Sequence, residues 1–127
     1  MNKNYHLGLL YLVKLLVDAD GVADAKELEA IRTIKRNEKI PDDTFDEFEK
    51  PLHTLRERDI YERGINLINN CTREEKLNAF STLYCLSEVD GRVHVKEIKL
   101  LLYSIKSAGV EFDDVVNHAK TKKDFLK

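Results

Sequence analysis

The chain has 127 residues, of which 43% are hydrophobic and 35% are charged, a size and composition that predict one folded domain and exclude a disordered chain. Its 21 basic and 23 acidic side chains give a net charge of -2. The chain therefore lacks the excess of positive charge that attracts proteins to the phosphates of nucleic acids, and we expect no nucleic-acid partner. With 5 glycines and 2 prolines, the chain favours helices over a many-turned β-sandwich.

The first predicted helix is apolar nearly all round, from Leu7 to Val17. Lys14 interrupts this run, which is about half of the roughly 20 residues that a membrane-spanning helix needs, so we expect no signal peptide and no membrane insertion. Cys71 and Cys85 lack the spacing of a metal site or a redox pair. We therefore expect two reduced, buried thiols in a cytoplasmic protein.

The sequence contains an internal repeat with an offset of 70 residues. When the sequence is aligned with itself at this offset, four residues are identical: Asp20, Gly21, Lys26 and Glu27 match Asp90, Gly91, Lys96 and Glu97. In each copy an apolar helix ends at the glycine, which can take the left-handed conformation that closes a helix, and another helix follows. A helix that is apolar nearly all round must be buried, so the two apolar helices are predicted to be central.

The predicted fold is a single all-α, multi-helical domain over residues 1–127, with about six or seven helices. Two repeated helix-turn-helix units are built around the two central helices. Repeat one covers about 5–37, connecting helices about 41–70, repeat two about 73–107 and a terminal helix about 110–120. Thr72 and Glu75 have the spacing of a capping box that opens the second central helix.

Acidic residues gather at the two repeated turns. A carboxylate at the C-terminal end of a helix is disfavoured by about 0.3–1 kcal/mol, because the helix dipole is negative at that end. Each repeat has carboxylates at this position. Donors at the start of the following helix, a basic side chain or a bound cation would offset their cost. Oxygen ligands select Ca²⁺, Mg²⁺ or Mn²⁺. The candidate metal ligands, pooled from both turns, are Asp18, Asp20, Glu27, Glu88, Asp90 and Glu97.

Two other interpretations of these acidic residues stay open. Asp20 and Asp90 can act purely as turn residues, and Glu27 and Glu97 purely as capping-box residues. An EF-hand calcium loop also has acidic residues before a glycine, but its first ligand position would fall on Leu16 and Leu86. An intact EF-hand is therefore not expected.

The segments LVKLLVDADGVADAKELEAI and LYCLSEVDGRVHVKEIKLLL resemble the TerB-like tellurite-resistance family. A similar domain forms the N-terminal part of DnaJ-like membrane co-chaperones, but the His-Pro-Asp tripeptide of the co-chaperone part is missing here. The resemblance implies an all-helical fold, a role in stress response and metal-associated acidic residues at Asp20, Glu27, Asp90 and Glu97. Asp18 and Glu88 match the family pattern less closely.

The chain carries no HExxH zinc helix, no glycine-rich phosphate loop and no GxSxG elbow, so we expect a non-enzymatic protein. The leading hypothesis is a TerB-like module that binds a divalent cation or a protein partner through the acidic turns. The alternative is a scaffold or adaptor that uses a helix face, at residues 56–63 or 41–50, with purely structural turns. A hydrolase using the same carboxylates is a third hypothesis. Partner identity and oligomeric state stay open.

Overall fold

A computed structural model describes residues 3–17, 25–89, 95–105 and 110–121. These residues form seven α-helices and one short 3-10 helix, and they contain no β-strand, which confirms the predicted all-α multi-helical fold. The helices are α1 (Lys3–Val17), α2 (Ala25–Asn37), α3 (Asp42–Glu49), α4 (Glu57–Asn69), α5 (Arg73–Val89), α6 (Val95–Ser104) and α7 (Phe112–Lys120), with the 3-10 helix at Leu52–Thr54.

The core is built on α1 and α5. Every residue of α1 from Tyr5 to Val13 is buried, and in α5 the buried stretch includes Phe80 and Leu83, which are fully shielded from solvent. At about 25 cal/mol per Å² of apolar surface, each such side chain contributes roughly 1.5–3 kcal/mol. The all-round apolar pattern of these helices is thus explained by burial on all sides, as predicted.

The 70-residue repeat extends to three helices in each half. The first residues of α1, α2 and α3 each precede those of α5, α6 and α7 by 70 positions. The position two residues before the third helix is also matched, since Ile40 and Val110 are both buried. The third helix of each half packs on the first, so α3 is the counterpart of α7.

A close approach between α1 and α4 provides the most extensive helix pairing in the described part of the chain. Two glycines make it possible. A Cβ atom on Gly8 of α1 would lie 2.8 Å from two side-chain carbons of Ile68, and one on Gly64 of α4 would lie 2.9 Å from Leu12. Because any larger residue would collide there, the glycines set the spacing of these two helices.

A buried polar network joins the two repeats. Asn78 of α5 donates a hydrogen bond to the Tyr5 hydroxyl, which donates in turn to Glu38 Oε1 at 3.4 Å. Thr82 of α5 donates to the same carboxylate oxygen at 3.1 Å. Tyr5 and Thr82 are fully buried, and such groups are costly unless they are hydrogen-bonded. The network therefore fixes how α1, the end of α2 and α5 meet.

Local predictions at the start of α5 and at the cysteines are confirmed. The Thr72 hydroxyl accepts the Glu75 amide at 3.1 Å, and the Glu75 carboxylate accepts the Thr72 amide at 3.0 Å, which is the expected capping box. Cys71 and Cys85 are both buried thiols. Among the helices described, none has both the length and the hydrophobicity that crossing a membrane would require.

Candidate functional site

The structure describes only part of the predicted carboxylate set. Asp18, Asp20 and Asp90 lie outside the described residues. Glu27 belongs to α2, but its side chain also lies outside what is described. The two remaining residues of the predicted set are Glu88, exposed in the last turn of α5, and Glu97, half-buried in the first turn of α6. Convergence of all six carboxylates on one cation stays a prediction.

The helix ends explain part of the electrostatics of this region. Glu88 lies in the last turn of α5, where the helix dipole is negative and where no basic residue is present. In contrast, Glu97 lies in the first turn of α6, where the dipole favours a carboxylate. Glu97 therefore has a stabilising structural role without any ligand, whereas Glu88 gains nothing from the helix dipole.

An EF-hand interpretation fails for a structural reason. Leu16 and Leu86 occupy the first ligand position of the hypothetical loops, and each is only 2% exposed in the hydrophobic core. Within the ranges that the structure describes, no three acidic, histidine or cysteine side chains come together as a metal-binding group.

Beside Glu97 lies an open groove of about 780 Å³ between three helices. Leu15 and Leu16 at the end of α1 lie along it, α4 contributes Tyr61, and α6 contributes Leu100 and Leu101. Its lining is largely apolar, and its volume falls within the range of about 300–1,000 Å³ that is typical of binding sites. The shape suits an elongated apolar ligand or helix.

The α6 side of this groove continues into an exposed apolar surface. Leu100 is 60% exposed and Tyr103 is 90% exposed, and they lie one turn apart on the same side of α6. At the equivalent positions of α2, 70 residues earlier, the chain has Ala30 and Thr33. The repeated fold is thus built in α2 without large apolar residues there, so packing does not explain them in α6.

Two basic side chains line the groove, and two more are exposed on α6. Arg56 and Arg58 are exposed at the start of α4, and Lys96 and Lys99 are exposed on α6. Arg58 forms a 3.1 Å ion pair with Glu62, and the ammonium group of Lys99 lies 4.6 Å over the ring of Phe112. Neither Arg56 nor Lys96 forms an ion pair with any other residue described by the structure.

Acidic side chains balance the basic ones in the groove itself. Arg56 and Arg58 line it together with Glu57 and Glu97, so the formal charges of the lining cancel. The feature that distinguishes this surface is therefore its exposed apolar area.

The α4 side of this surface falls within residues 56–63, which are predicted from the sequence to be a candidate binding face. The α6 side is missed, because residues 98–103 resemble a buried helix segment. The available signal was the repeat itself, in which Leu100 and Tyr103 replace Ala30 and Thr33.

Comparisons with known proteins identify no relative of this chain. No family model, no curated protein and no solved structure matches it.

Proposed function

We propose that this chain is a non-enzymatic, TerB-like helical module of a stress-response or tellurite-resistance system that acts by binding a protein partner. One observation carries the proposal. Helix α6 exposes Leu100 and Tyr103 beside an apolar groove, and the repeated fold does not require large apolar residues at these two positions. Exposed apolar residues next to a concave surface are typical of protein interaction sites. This favours the scaffold or adaptor interpretation, with a helix face as the binding surface.

The shape and lining of the groove also favour binding over catalysis. Catalytic acids and bases act in a pocket that encloses the reacting groups. The groove is open and mainly apolar, and the polar groups along it are arginines, glutamates and the Tyr61 hydroxyl, which hydrogen-bonds Ser104 of α6. A hydroxyl that joins two walls of the groove holds the surface in shape, which suits the docking of a partner.

Site-specific photocrosslinking in cells tests the proposal. A benzophenone amino acid replaces Tyr103, and irradiation should yield a defined crosslinked product between this chain and another protein. The same group at Thr33, the equivalent position of α2, is the matched control. Leu100→Asp should abolish the product, because a charge would be placed in the apolar contact. Equal crosslinking from both positions, or none from either, would contradict the proposal.

A second candidate function is a divalent-cation site at the acidic turns, involving Asp18, Asp20, Glu27, Glu88, Asp90 and Glu97. The observation that favours it is Glu88, an exposed carboxylate in the last turn of α5, where no basic side chain offsets the helix dipole. Ca²⁺, Mg²⁺ or Mn²⁺ would supply the missing positive charge.

Melting curves and titration calorimetry with each cation test this second function. At a concentration about ten times its dissociation constant, a bound cation stabilises the folded state by about 1.4 kcal/mol, or roughly 3–6 °C for a chain of this size. Asp20→Asn combined with Asp90→Asn should abolish the shift and the binding heat while leaving the fold intact. Unchanged melting and no heat with the wild type at millimolar cation would refute a cation site.

A further inference from the structure

We draw no further inference here: the strongest candidate, the exposed apolar face of α6 at Leu100 and Tyr103 with the groove beside it, carries nothing further, because the charges that line the groove cancel and nothing in the part of the chain that the structure describes shows what covers this face.

Discussion

Replacing Gly8 by alanine tests the close approach of α1 and α4. Alanine is favoured over glycine inside a helix by about 1 kcal/mol, so local helix propensity alone predicts a more stable protein. The new Cβ atom would lie 2.8 Å from Cγ1 and Cδ1 of Ile68 and 3.2 Å from its backbone nitrogen. Ordinary carbon contacts are about 3.5–4.0 Å, so the helices must separate or Ile68 must move.

Ile68 has no room to move, because it is fully buried. Overpacking of this kind costs about 1–3 kcal/mol, which offsets or exceeds the gain of about 1 kcal/mol in helix propensity. We therefore expect Gly8→Ala to lower the free energy of unfolding by up to about 2 kcal/mol, and the melting temperature by up to roughly 8 °C. Urea unfolding followed by circular dichroism measures the free-energy change directly.

A double-mutant cycle identifies the cause. Ile68→Ala removes both side-chain carbons that Gly8→Ala would clash with. In that background Gly8→Ala should be more favourable than in the wild type by at least about 1 kcal/mol. Stabilisation by Gly8→Ala in the wild-type background, or no coupling between the two positions, would refute the packing argument.

Three further predictions concern buried polar groups. Glu38→Ala removes the acceptor of Tyr5 and Thr82 and should cost about 1–3 kcal/mol of stability in urea unfolding, with Glu38→Gln intermediate; equal stability of all three proteins would contradict this. Burial raises the pKa of the Cys71 thiol to about 11, so its modification by a disulfide reagent at pH 8 should be at least about 100-fold slower than that of free cysteine; a comparable rate would show an accessible thiol. Burial also lowers the pKa of His6, so the unfolded state binds more protons as the pH falls below about 6.5. Stability should therefore decrease with falling pH through that window, and His6→Gln should flatten this dependence in melting curves; an unchanged slope would refute a contribution from His6.

The parts of the fold that the sequence predicts are those encoded locally. The burial of α1 follows from a run of apolar residues without a polar face, and the start of α5 follows from the spacing of Thr72 and Glu75. The 70-residue repeat is visible because Asp20 and Gly21 are repeated as Asp90 and Gly91. These features depend on neighbouring residues or on direct comparison of two segments.

Other features depend on residues that meet only in the folded chain. The network of Tyr5, Glu38 and Asn78 joins positions separated by up to 73 residues, and its signal in the sequence was a pair of polar residues, Asn78 and Thr82, one turn apart in an apolar helix. The relation of α3 to α7 was missed because their sequences, DDTFDEFE and FDDVVNHA, have diverged.

The candidate interaction surface could not be predicted from apolar pattern alone. Leu100 and Leu101 are adjacent in sequence, yet Leu101 is 5% exposed and Leu100 is 60% exposed. Which of the two faces solvent depends on the rotation of α6 about its axis, and this is set by tertiary packing. The acidic turns were found more easily, because they are marked by repeated residue types.

Chemical-shift mapping with the partner protein captured by photocrosslinking from position 103 tests the central claim most directly. Amide signals of the isotope-labelled chain are recorded during a titration with that partner. We predict perturbations concentrated in residues 56–61 and 95–104, at the start of α4 and along α6, which disappear in Leu100→Asp. Perturbations centred on α3 or α7, or a spectrum unchanged at saturating partner, would contradict the assignment of this surface as the binding site.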